Sequence, residues 1–214
     1  MSIIRVLLVD DHEVVLSGYR RLLENAGDIK VIDEARDGAA AYLSYVEHQP
    51  DVVVMDISMP GMGGLEAARK ILQRDPNAHI LIFSVHETEV FLNRALEEGV
   101  LGYITKRSAA KVMVEAVRQV AKGEAYVGQE LVGYLVRQKN TPPDDTSVLE
   151  RLSPREFEIF LMLAEGKQAT EIAEVLNIST KTVSHHYTSI KNKLNASNVV
   201  DLTRLAIRHR LLEP

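Results

Sequence analysis

Residues 52–64 read VVVMDISMPGMGG: an apolar run, a lone carboxylate at Asp56, then a Met-Pro turn with three glycines. Val52, Val53, Val54 and Met55 are apolar at every position. That is the pattern of a central strand in a parallel sheet covered by helices on both faces, not the alternation of a half-exposed strand. Open α/β sheets bind their ligands in the crevice outside the carboxyl ends of the strands. An acid delivered to such an end is therefore a site candidate, and its neighbours determine what it can do.

Four further β-rich runs accompany it: IIRVLLV (3–9), KVIDEA (30–35), HILIF (79–83) and VLGYI (100–104). Helical patterns fill the gaps between them, with Val15, Leu16, Tyr19, Leu22 and Leu23 on one face of the first. The alternation predicts an α/β domain over residues 1–125 built on a five-stranded doubly wound parallel sheet. Residues 126–148 read as a connecting helix and linker, because RQKNTPPDDTSV (137–148) is polar, holds a Pro pair and lacks periodicity. From 149 to 214 the pattern is purely helical, predicting a small all-α domain.

Composition narrows the classes. The 214 residues are 46% hydrophobic, enough for one or two domains with cores of their own. The absence of cysteine excludes disulfide scaffolds, thiolate metal sites and cysteine nucleophiles. No apolar run reaches the roughly 20 residues that span a bilayer, and MSIIRVLLVDD carries acids where a signal peptide has its cleavage site. A soluble cytoplasmic protein with no membrane contact is expected. The net charge of −5 is unevenly spread: residues 175–214 carry 6 basic against 2 acidic side chains.

The strand ends share a chemistry. Strand one delivers Asp10 and Asp11, strand three Asp56, strand four Ser84, and strand five Lys106. Singly, each has an ordinary reading: a helix N-cap for the Asp pair, a turn residue for Ser84, a solvated lysine for Lys106. Jointly they place three carboxylates, a hydroxyl and an ammonium at one sheet edge. Three carboxylates that close repel by roughly 4 kcal/mol per pair at an effective dielectric of 20, so they call for a counter-ion. A hard divalent cation with oxygen ligands, Mg²⁺, fits. Beside it a carboxylate can act as a nucleophile toward phosphorus, with Lys106 neutralising phosphoryl oxygens and Ser84 donating a hydrogen bond to one.

These residues resemble the receiver domains of two-component response regulators, through VDD (9–11), MDISMPGMGG (55–64), Ser84 after ILIF, and GYITK (102–106), over residues 4 to about 122. The resemblance implies phosphorylation of Asp56 by a sensor histidine kinase. It implies Mg²⁺ ligated by Asp11, Asp56 and the Ser58 backbone carbonyl, with Asp10 acting through water. It also makes Tyr103 a switch aromatic that turns inward when the Ser84 side rearranges. Without the resemblance, Tyr103 reads as a half-buried strand tyrosine with a wet hydroxyl. Val85, where receivers often carry a smaller residue, and His86 depart from the pattern and bear on water access to the phosphoryl group.

The helical domain carries its own signals in LSPREFEIFLMLAEGKQATEIAEVLNISTKTVSHHYTSIKNKL (152–194). Ser153, Pro154 and Glu156 form a capping box for a helix that reaches about Glu165 and stops at Gly166. A short helix, Thr170 to Leu176, then turns through Asn-Ile-Ser into another that starts at Thr180. Two short helices across a turn predict a helix-turn-helix; the other reading is an αα-hairpin with its lysines as a solvated face.

The stretch is similar to the DNA-binding domains of the LuxR/NarL (FixJ) class, through LSPRE, AEG, EIAEVLNIS, KTVSHH and LAIRH over 150–210, and within that class to the branch typified by GacA. The resemblance makes Thr180 to Leu194 the recognition helix. Val183 and Ile190 would pack inward, Lys181, Thr182, Ser184, His185 and Thr188 would face DNA, and Lys191 or Lys193 would reach phosphate. Ser184 and Thr188 stand where basic residues are common in the class, so the class's DNA sequences do not carry over.

The expected function is a transcription factor that is not an enzyme: a homodimer when phosphorylated, with Val199 and Thr203 at the dimer edge. A Mg²⁺-dependent phosphohydrolase using Asp56 as nucleophile is the rival. It would need a second acid two residues on, where Ser58 stands. A receiver that acts only through protein contacts is a third reading, against which the basic recognition helix argues.

Overall fold

The computed structural model describes residues 3–108, 110–138, 146–209 and 211–212, and the chain divides into two compact units, 1–136 and 137–214. The first runs β1 (Ile4–Val9), α1 (Glu13–Glu24), β2 (Ile29–Ala35), α2 (Gly38–His48), β3 (Val52–Met55), α3 (Gly64–Arg74), β4 (Ile80–Ser84), α4 (Glu89–Glu97), β5 (Gly102–Thr105), α5 (Ala110–Val120), β6 (Tyr126–Val127) and α6 (Gln129–Gln138). All pairings are parallel, in the order β2-β1-β3-β4-β5-β6. The crossover from β1 runs one way to β2, and the later ones run the other way. The reversal falls between β1 and β3, where this topology opens its crevice.

The sheet has six strands where five were expected. The sixth is two residues long and pairs Tyr126 with Gly102 and Val127 with Tyr103. It lies in the segment read as the start of the connector.

The apolar run at 52–55 is buried throughout. Val52 and Val54 join Val6, Leu8, Leu81, Phe83 and Ile104 in the core that α5 covers with Met113, Ala116, Val117 and Val120. Alternation sends Val53 and Met55 to the opposite face, with Leu7, Ile80 and Ile82, all fully buried. Each such side chain contributes about 1.5–3 kcal/mol. Two glycines after Asp56 are required for different reasons: a Cβ on Gly64 would lie 1.9 Å from the Asp56 carbonyl oxygen, whereas Gly61 has open space around it but takes a left-handed φ of +71°. The loop can therefore fold back over the strand end.

The second unit runs α7 (Thr146–Glu150), α8 (Pro154–Ala164), α9 (Ala169–Val175), α10 (Thr180–Leu194) and α11 (Val199–Arg208). Of the stretch read as linker, 139–145 lie outside the described residues, and 146–148 open α7 instead of continuing the loop. The capping box at Ser153 and Glu156 forms as expected, with Pro154 in the first turn. Asn177, at φ 51°, makes the tight turn from α9 to α10. Phe157, Ile159, Phe160, Ile172, Val183, Ile190, Leu202 and Ala206 are buried and give this unit its own core.

Candidate functional site

The strand-end residues converge. Lys106 Nζ donates to Asp10 Oδ2 at 2.5 Å and to Asp56 Oδ2 at 2.7 Å, and it lies 5.7 Å from the centre of the Phe83 ring. The Ile57 amide donates to Asp56 Oδ1 at 2.7 Å. Asp10 and Asp56 are both buried. Burial pushes the Asp56 carboxyl above the usual carboxylate range, the Asp10 charge adds to the rise, and Lys106 opposes it. Burial works against the Lys106 charge too, but the Asp56 charge and the hydrogen bonds to both carboxylates leave its ammonium above the ordinary value.

Asp11 supplies the test of whether a cation fits. Its Oδ1 is buried without an assigned hydrogen bond, and the nearest nitrogen is His12 Nδ1 at 2.8 Å. Ligand atoms of Asp10, Asp11 and His12 all lie within 4.8 Å of one another. An orphaned carboxylate oxygen beside two further acids suits a hard divalent cation, whereas imidazole is a poor partner for one. The pocket's chemistry fits.

Around the acids sits a layer whose contacts sequence reasoning did not find. Ser84 is fully buried, and its Oγ accepts from the His86 amide at 3.3 Å. The His86 ring stacks on Phe91, with centroids 3.7 Å apart, and its Nε2 lies 2.8 Å from Ser58 Oγ. The Tyr103 hydroxyl donates to the His86 carbonyl at 2.8 Å. Tyr103 is fully buried rather than half-wet, and burial raises its phenol far above the ordinary value. The aromatic already points inward here, and His86 ties the β3–α3 loop to the loop after β4. The sequence names Ser84, Tyr103 and His86 but carries no signal for the contacts that His86 makes with Ser58, Phe91 and Tyr103.

In the second unit, Ser179 caps α10 and Asn195 ends it in a left-handed conformation. Val183 and Ile190 are buried as expected. Lys181, Ser184, His185 and Thr188 are all exposed, at a spacing that puts them on one face. Thr182 is not on that face: its amide and hydroxyl both bond the Ser179 cap. Lys191 Nζ stands 5.0 Å over the Tyr187 ring. Lys193 instead donates to Glu156 Oε2 at 2.6 Å, so as placed its ammonium is held by that carboxylate. Thr203 donates to the Ala164 and Val199 carbonyls.

Comparisons with known proteins agree with both halves. The family described as "Response regulator receiver domain" matches residues 6–118, and that described as "Bacterial regulatory proteins, luxR family" matches residues 150–206. Response regulator UvrY of Escherichia coli is 40% identical over 208 residues, covering 97% of this chain and 95% of that protein. Response regulator GacA of Pseudomonas protegens is 38% identical over 210 residues, covering 98% of each. Among solved structures, RcsB from Salmonella enterica serovar Typhimurium, bound to a promoter in the presence of a phosphomimetic, superposes with a TM-score of 0.67 at 29% identity, covering 94% of this chain and 96% of that one. No described helix is long and apolar enough to cross a membrane. The phosphohydrolase reading gives way to a regulator's: the chain belongs to the response regulators of the luxR family, transcription regulators of two-component systems that join a receiver domain to a LuxR-type DNA-binding domain.

Proposed function

We propose that this chain acts in the cytoplasm, where a sensor histidine kinase phosphorylates Asp56 and the phosphorylated chain dimerises and binds DNA. Residues 1–125 receive the signal, 126–148 carry it and 149–214 act on DNA. The observation that carries the reading is Lys106 bridging Asp10 and Asp56 beside an acid with a buried oxygen that has no assigned hydrogen bond. An Asp56 carboxylate oxygen attacks the phosphorus of the donor, the bond to the donor's leaving atom breaks, and an acyl phosphate forms. Lys106 turns its charge to the phosphoryl oxygens, and Ser84 offers its hydroxyl to one of them. Asp11, Asp56 and the Ser58 carbonyl would hold Mg²⁺, with Asp10 acting through water. When bound, the ion neutralises the charge gathered on the carboxylates and the phosphoryl group.

On the DNA side, Lys181, Ser184, His185 and Thr188 face the major groove and Lys191 reaches phosphate. Thr182 contributes by fixing the start of α10. Val199 and Thr203 edge the dimer. Titration of the full chain with acetyl phosphate and Mg²⁺, read by intact mass, tests the receiver half. Wild type should gain one phosphoryl group and Asp56→Asn none, and Asp11→Asn should need more Mg²⁺. Equal labelling of the Asp56→Asn chain would contradict the assignment.

A further inference from the structure

The residue before Lys106 faces away from the acids. Successive side chains of a strand point to opposite faces, so while Lys106 reaches the acids, Thr105 turns toward the segment after α5. Thr105 is buried, and its hydroxyl donates to Glu130 Oε1 at 2.8 Å. Ser108 donates to the same oxygen at 2.7 Å. Two donors on either side of Lys106 thus hold one carboxylate in the first turn of α6.

A carboxylate in a first turn is ordinary. Here, though, both side-chain donors come from the end of β5 and not from the helix itself. The path between them is continuous: β6 pairs along β5, the Gly128 amide donates to the Tyr103 carbonyl at 2.9 Å, and Glu130 follows. Gly128 leaves the carboxylate its room, since a Cβ there would lie 2.8 Å from Oε1. Leu131 is buried, whereas Val132 and Gly133 are exposed. The helix that leads toward residues 139–145 is therefore attached by its first turn.

We propose that Glu130 is the receiver's output contact: its clasp on Thr105 and Ser108 holds α6 while Asp56 is unmodified and lets go when Asp56 is phosphorylated. This rests on the proposed function. The Lys106 ammonium donates to Asp10 and Asp56, and its amide to the Ser84 carbonyl. New phosphoryl oxygens at Asp56 re-aim the ammonium, and the turn from Thr105 to Ser108, closed by the Ser108 amide on the Thr105 carbonyl at 3.0 Å, adjusts with it. Two donors that must converge on one oxygen do not survive such an adjustment together.

Amide hydrogen exchange on the full chain tests the clasp, read in a peptide covering 129–138. Acetyl phosphate with Mg²⁺ should speed exchange there about threefold or more in wild type. Glu130→Ala and Thr105→Val should each exchange faster than wild type with no phosphodonor, because the first removes the acceptor of both bonds and the second removes one of the two donors. Variants that exchange at the wild-type rate, or labelled wild type with unchanged or slower exchange, would overturn the proposal. Intact mass on the same samples reports labelling separately. A chain that does not label counts against the proposed function, and the two variants still decide the clasp.

Discussion

Glu156 and Lys193 meet 37 residues apart in sequence, Nζ donating to Oε2 at 2.6 Å across the DNA-binding domain. Ser189 donates to the other oxygen at 2.6 Å, and the Ser153 amide shares Oε2 at 2.7 Å. One carboxylate thus closes the cap of α8 and fastens α10 to it. The resemblance to LuxR-type domains offers Lys191 or Lys193 as the phosphate contact; the carboxylate that claims Lys193 lies on another helix.

This makes stability the property that Lys193 controls. Burial works against the Glu156 charge, but the hydrogen bonds from Lys193, Ser189 and the Ser153 amide overcome it and hold the carboxyl down to about 2, from an ordinary 4.5. A carboxyl lowered on folding adds stability that is fully present above its unfolded pKa and is lost as pH falls through the folded one. Fragment 149–214 should therefore lose stability between about pH 4.5 and 2. Glu156→Gln should flatten that profile, and Lys193→Ala should cost about 1–3 kcal/mol near neutrality. Urea midpoints across pH measure both. A Lys193→Ala fragment as stable as wild type would return the lysine to the groove.

The DNA face separates reading from positioning. Lys191→Ala should weaken binding to all sequences and lower the salt slope by about 1, whereas His185→Ala should change base preference. Binding to a selected site and to scrambled duplexes at several salt concentrations distinguishes them. Equal loss on both duplexes would deny His185 its reading role.

Above the acids, the ring of His86 is held on one side by Phe91 and reaches Ser58 on the other. A side chain so fixed limits water around Asp56. His86→Ala should still label with acetyl phosphate, but the acyl phosphate should decay several-fold faster. The decay of the labelled mass after donor removal measures it, and a lifetime unchanged or longer would show that His86 is no shield.

What could be read in advance followed from periodicity. Uniform apolarity placed β3 inside the sheet, and strand ends then brought Asp10, Asp11, Asp56, Ser84 and Lys106 together, although Asp10 and Lys106 are 96 residues apart. The capping box did the same for α8, because Ser153 acts on an amide three residues away. What stayed hidden rests on contacts that leave no period. Strand β6 is two residues long and identifiable only by its backbone partners. Glu130 with Thr105, and Lys193 with Glu156, are single polar pairs between elements, which alternation along one element cannot foretell.

A phosphoryl group adds nearly two negative charges to the receiver, and its effect on DNA must come through an equilibrium between arrangements of the chain. Moving such an equilibrium from 1:99 to 99:1 takes about 5.5 kcal/mol of differential stabilisation. The most direct test compares DNA affinity of the full chain and of its Asp56→Asn variant, each with and without acetyl phosphate and Mg²⁺, on a duplex carrying two half-sites. Wild type should bind more tightly when labelled, and Asp56→Asn should show no response. Wild-type protein that labels fully at Asp56 yet binds DNA equally well in both states would contradict the account.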